Sequence, residues 1–289
     1  MKKYLVITLI LLLIMVTGCF KRDDLEDVTV YTTIYPIKYL GEELYGNNST
    51  IKSIYPKGVD VSNYPISDKK IADYAKESAL FIYNGNSNEK DMAAKFLKKN
   101  KGVRIIDVAQ GLNVDNNKEE LWISPSNYLM LALNIKNGLK EYIDNTYIHQ
   151  EIENNYTDLK ARILGLEAEF KTVAESSKDK PLVVMSDSLL FLKKYGFNVI
   201  SIDNTNQDVE ESIVNEVKKL ISNKTLTAIF KLDNQNESEL LRDIIVNTKV
   251  KVIDYAVSMN LKEDEDDKTI NYLTIVQENI EKIKGVLYE

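Results

Sequence analysis

Imidazole is almost absent from this chain, which has one histidine, His149, in 289 residues. A Ser-His-Asp hydrolase needs a base held against its nucleophile. The serine-aspartate pair Ser186-Asp187 lies in a different segment from His149, which reads as a surface residue at the start of a polar helix. Cysteine is equally scarce: Cys19 stands alone, so no disulfide can form within the chain and no Cys-built zinc centre is available. No Gly-x-Gly-x-x-Gly or phosphate-cradling loop occurs. No basic run exceeds three residues, and the formal net charge is −7, which together exclude nucleic acid as a partner. The paired carboxylates Asp23/Asp24, Glu210/Glu211 and Asp266/Asp267 read as solvated charge. Nothing here makes an enzyme.

Long apolar runs are missing too, with one exception. Tyr4 to Val16, broken only by Thr8 and preceded by Lys2 and Lys3, has the length of a signal-peptide core and is short for a bilayer span. It ends in Val16-Thr17-Gly18-Cys19, which resembles a bacterial lipobox, where the thiol receives a diacylglyceryl group and the chain is cut before it. Residues 1–18 are then a signal peptide and 19–27 a lipidated tether, charged from Lys21 to Asp27 ("KRDDLED"). The competing reading is an uncleaved anchor helix with an incidental cysteine. Two or more acyl chains hold a protein firmly where one does not. This places the protein on the outer, extracytoplasmic face of the cell membrane, bound to lipid through Cys19. About 260 residues remain, room for two modest domains with real cores.

Those residues alternate in pattern. β-Rich runs such as "VTVYTTI" (28–34), "ALFIYNG" (79–85), "PLVVMS" (181–186) and "VKVIDYA" (250–256) are separated by helix-patterned segments. Strands spaced by helices of this length predict α/β architecture with parallel sheets. Two sets of strands predict two lobes, residues 28–146 and 178–289. Between them, Ser124-Pro125 predicts a helix start. A second helix, 147–177, carries Ile152, Tyr156, Leu159, Ile163, Leu166 and Phe170 at spacings of three and four. A single long helix linking the lobes is stiffer than a strand linker and predicts little lobe movement. Ligands of open parallel sheets sit beyond the carboxyl ends of strands. The predicted cleft therefore draws on loops 33–36, 57–64, 84–88, 119–124, 185–188, 231–235 and 254–258.

Order and motifs together resemble the zinc/manganese solute-binding lipoproteins of bacterial ABC importers. The resemblance rests on the lipobox, "TTIYPIKYLGEELYG", "PKGVDVSNY", "LWISPSN", "FLKKYGF" and "VIDYA", and covers nearly the whole chain. It implies a chelatase-like bilobal receptor that serves an ABC permease, works as a monomer, and holds one divalent cation, zinc or manganese, or none. The family's first loop runs Pro-Pro-Gly-Ala-Asp-Pro-His-Asp-Tyr; here Pro56, Gly58, Asp60 and Tyr64 agree, and Ser62 takes the histidine place. The second ligand position falls on Glu120, two residues before Trp122. The third falls on Met185, with Asp187 able to serve if the turn shifts, and the fourth on Asp254. The resemblance thus implies a degenerate metal set of Ser62, Glu120, Asp187 and Asp254. Imidazole favours zinc, whereas carboxylates suit harder ions such as manganese.

Asp60, Asn63, Tyr64, Trp122 and Tyr35 are the expected cleft lining, with Asp60 serving the loop turn and Trp122 packed beneath. Two other readings stand beside this one. The same receptor could take a non-metal small solute, with Tyr35, Tyr55, Tyr64 and Tyr83 supplying rings and hydroxyls. A surface adhesion or scaffold lipoprotein would bind no solute.

Overall fold

The computed structural model describes residues 23–87, 89–112, 120–177, 180–205, 207–265 and 269–288. Cys19 and the signal and anchor readings lie outside them. Among the described residues, no helix is long and apolar enough to cross a membrane.

The chain forms two four-stranded parallel sheets. The first contains β1 (Val28–Thr32), β2 (Ser49–Ser53), β3 (Ser78–Tyr83) and β4 (Arg104–Asp107), in the order β2-β1-β3-β4. The second contains β5 (Pro181–Val184), β6 (Asn198–Ser201), β7 (Ala228–Leu232) and β8 (Lys251–Tyr255), in the order β6-β5-β7-β8. Parallel neighbours need long crossovers, which the helices supply. These are α1 (Tyr35–Tyr45), α2 (Asp68–Glu77) and α3 (Glu89–Lys99) in the first lobe, and α6 (Glu211–Ser222) and α7 (Glu239–Ile245) in the second.

Three further helices join the halves: α4 (Pro125–Tyr142), α5 (Thr146–Ser176) and α8 (Tyr272–Tyr288). Helix α4 begins with Pro125 in its first turn, where a missing N–H costs nothing. Its N-cap, Ser124, makes no side-chain cap; its hydroxyl instead meets that of Ser126 at 3.1 Å. Helix α5 starts at Asn145, whose side chain accepts from the Tyr147 amide at 3.0 Å. His149 closes the same corner with a ring nitrogen 2.7 Å from the Ile143 carbonyl oxygen. The buried face of α5 is Ile152, Leu159, Ile163, Leu166 and Phe170, with Tyr156 packed at its margin.

That face explains how the lobes hold together. The outer side of each sheet has its own core, around Phe81 and Phe96 in the first lobe and Ile229 and Val217 in the second. The inner sides share one cluster, which runs from Val30 and Leu80 through α1, α4, α5 and α8 to Leu182 and Phe230. At its centre the rings of Tyr128 and Tyr272 stack with centroids 3.5 Å apart. Helix α4 approaches the first sheet so closely that a Cβ on Gly138 would lie 2.7 Å from Ile106, so this position needs glycine. Close packing of this kind tolerates little rearrangement.

Candidate functional site

The carboxyl ends of both sheets open onto a cleft of about 860 Å³. One wall is the loop after β2, Val59 to Asn63; the other comes from the ends of β7 and β8 and from α8. A smaller cavity of about 360 Å³ adjoins it and shares Val61, Ser62 and Met259 with it.

The loop after β2 is shaped by Asp60. Its carboxylate accepts from the Ser62 amide at 3.0 Å and from the Asn63 side chain at 2.7 Å, a local side-chain turn. Ser62 stands exposed, and its hydroxyl reaches the Met259 sulfur at 3.9 Å. The Asn234 amide meets the same sulfur at 3.6 Å from the opposite side. Tyr64 faces the smaller cavity, its ring edge-on to Tyr55 at 6.3 Å. Trp122 also borders that cavity but is only 2% exposed, and its indole N–H donates to the Val257 carbonyl across the lobes at 2.8 Å. Tyr35 is buried and pins the lobes, its amide donating to the Met259 carbonyl at 2.9 Å and its hydroxyl to that of Ile270 at 3.3 Å.

The carboxylates at the expected ligand positions are each engaged by the protein. Asp254, on β8, pairs with Lys231 on β7 at 2.6 Å, the two being direct partners in the ladder. Glu120 accepts from the Ser188 hydroxyl at 3.2 Å. Asp187 accepts from Ser201 at 2.7 Å, while its amide donates to Asp203 at 2.8 Å. Met185 is buried in the outer core of the second lobe, its amide bonded to the Phe230 carbonyl at 2.8 Å. Ser62 and Asp254 line one cleft; Glu120 and Asp187 lie outside its lining. Among the described residues, no group of three or more His, Cys, Asp or Glu side chains converges so as to hold a metal ion. Among the described residues, the hydroxyl of Ser62 and the carboxylates at the expected positions do not supply the imidazole or thiolate ligands of a closed zinc site.

Another carboxylate, Asp233, lines the cleft. Asp233 keeps contact with solvent, yet the surrounding protein mass raises its carboxyl above the ordinary range, and Asp254 adds to this. Its bond from the Val257 amide, 3.0 Å, pulls the other way. A raised carboxyl in a polar cleft is a ready acceptor for a proton or a cation.

Sequence reasoning passed over Met259 and Asn260, which lie just beyond the loop expected to matter after β8. The Asn260 side chain donates to the Pro56 and Val59 carbonyls of the opposite lobe at 2.7 and 3.1 Å. Beside it the Gly58 amide donates to the Leu261 carbonyl at 2.8 Å, and Lys57 to that of Glu265 at 2.9 Å. Gly58 has φ +78°, a conformation that side chains rarely adopt, and a Cβ there would lie 3.3 Å from Glu263. These bonds latch the Ser62 loop to the second lobe. Asn260→Ala is expected to lose about 1–2 kcal/mol of stability and to speed hydrogen exchange at the Gly58 amide. Unchanged exchange at Gly58 would refute the latch.

Comparison with known proteins agrees with this architecture. Residues 30–286 match the family model described as the zinc-uptake complex component A, periplasmic (ZnuA). The high-affinity zinc uptake system protein ZnuA of Bacillus subtilis (strain 168) is 20% identical over 288 residues, covering 91% of this chain and 88% of that protein. Among solved structures, the metal-dependent lipoprotein YcdH of Bacillus subtilis superposes with a TM-score of 0.73 at 18% identity, covering 91% of this chain and 100% of that one. The Zn(II)-bound ZnuA-like domain of Streptococcus pneumoniae AdcA gives 0.70 at 17% identity, covering 91% and 100%. The laminin binding protein Lmb of Streptococcus agalactiae gives 0.70 at 18% identity, covering 90% and 99%. With its two parallel-sheet lobes, its connecting helix and a family match that runs through both sheets, the chain belongs to the ZnuA family of periplasmic zinc-uptake components.

Proposed function

We propose that this protein is the extracytoplasmic solute-binding lipoprotein of an ABC importer of the divalent-metal type. It is held to the outer face of the membrane through Cys19 and hands its solute, as a monomer, to a membrane permease. The observation that carries this reading is the cleft between the lobes, where the loop of Ser62 and the strand end of Asp254 face each other in a member of the ZnuA family. Of the two metals, oxygen donors such as Asp233 and Asp254 suit manganese better than zinc. Elemental analysis tests this: protein cleared with chelator and dialysed against equal zinc and manganese is expected to retain manganese in excess. Retention of neither metal would favour the second reading, a non-metal small solute in the same receptor. That reading is supported by a cleft far larger than an ion and by the amides of Asn63, Asn234 and Asn236 along its walls.

Anchoring is expected to depend on the only thiol. Cys19→Ala should accumulate as unprocessed precursor and take up no labelled fatty acid. Normal lipid labelling of that variant would remove the lipoprotein reading while leaving the receptor reading to the metal assay.

A further inference from the structure

Outside the cleft, a separate cavity of about 390 Å³ lies beside β2, the edge strand of the first sheet. Its volume falls within the roughly 300–1,000 Å³ typical of small-molecule sites. Tyr31, Tyr55 and Tyr74 give it ring surfaces, and Lys38, Lys52 and Lys57 stand round it; among the described residues no carboxylate lines it. Asn260 and Leu261 of the second lobe complete it, so the cavity bridges the two halves of the latch. We propose that this cavity is a second binding site, for a small planar aromatic molecule that carries an anionic group.

The rings form a wall on which such a body can lie, not a slot that closes round it. Tyr31 and Tyr74 lie with centroids 4.8 Å apart and planes tilted by 31°. Tilted and edge-on aromatic contacts add favourable interaction beyond simple burial. The charge is arranged for the anion. The Lys52 ammonium sits 5.8 Å from the Tyr31 ring centroid and pairs with Glu77, whose second oxygen accepts from the Tyr31 hydroxyl at 2.8 Å. An ammonium has three N–H donors, so one carboxylate leaves Lys52 able to donate to a bound anion. Lys57 and Lys38 also reach the lining, each with partners of its own. Charge-assisted hydrogen bonds to such an anion are about twice as strong as neutral ones. Lys52 pairs with Glu77 and Lys38 with Glu42, and neither glutamate is among the described residues of the lining. Only Asn260 is shared with the lining of the large cleft, so this inference does not depend on what the cleft carries.

Fluorescence titration of the mature chain with two probes tests the site. Anilinonaphthalene sulfonate has an aromatic body and an anionic group; phenylnaphthylamine has the same rings without the charge. The sulfonate is expected to bind in one equivalent, about tenfold more tightly than the uncharged probe. Lys52→Gln should weaken the sulfonate about tenfold and leave the uncharged probe unchanged, while Lys52→Arg should restore the sulfonate. Tyr74→Ala should weaken both. Equal affinity for the two probes, sulfonate binding indifferent to Lys52→Gln, or no saturable binding would each overturn the proposal. Lys52→Arg keeps a cation beside Glu77, so the lysine pair tests the proposal even where the tyrosine variant fails to fold.

Discussion

Zinc is expected to bind the native cleft weakly, and the paired change Ser62→His and Glu120→His is expected to raise its affinity at least tenfold, about 1.4 kcal/mol. Ser62 offers a neutral hydroxyl, and that hydroxyl faces a methionine sulfur. Glu120 is a carboxylate already bonded to Ser188. Trp122, two residues after Glu120, borders the same small cavity as Ser62, while Glu120 itself is not in that lining, so the paired change tests whether the two loops converge. Two imidazoles there would add nitrogen ligands, which zinc favours. Titration calorimetry in chelator-cleared buffer reads both affinities. Tight, stoichiometric zinc binding by the native protein, abolished by Asp254→Ala, would show that the engaged carboxylates are in fact available. A double variant with no gain would show that the two loops do not converge.

The second large effect concerns the packing that joins the lobes. Trp122→Ala is expected to cost about 3–5 kcal/mol, measured by urea unfolding. The ring is fully enclosed, so its loss leaves a cavity, and the Val257 carbonyl across the lobes loses its donor. The backbone carbonyl of Trp122 accepts from the Tyr272 hydroxyl, whose ring stacks on Tyr128, so the disturbance reaches α4 and α8. Trp122→Phe separates the two contributions, since it keeps most of the volume and drops only the N–H, for about 1–2 kcal/mol. A cost below about 1 kcal/mol for the alanine variant would mean that the rest of the shared apolar cluster holds the lobes without this ring.

Much of the architecture was open to reading because its causes are local. Runs such as "ALFIYNG" and "PLVVMS" are apolar on both faces, as strands buried between helices must be. The three-and-four spacing of Ile152, Leu159, Ile163 and Phe170 on α5 is set by helix geometry alone. The family resemblance placed Asp60 in the loop turn, and its partners there, Ser62 and Asn63, are only two and three residues away.

The site is another matter, for its chemistry depends on residues that meet only when the chain has folded. Glu120 is engaged by Ser188, 68 residues on, and the Trp122 indole by Val257, 135 residues on. Met259 gave no signal in the sequence, yet it lies between Ser62 and Asn234 because β8 delivers it there. By itself the sequence determined two parallel α/β lobes, the helix between them and the scarcity of histidine, with His149 alone in the chain. Only the tertiary structure decided that the remaining carboxylates are taken up by lysine and serine partners and that the Ser62 loop is latched across the cleft. Patterns of burial repeat within a few residues, whereas the partner of a charge or a hydroxyl is chosen by contacts between distant segments.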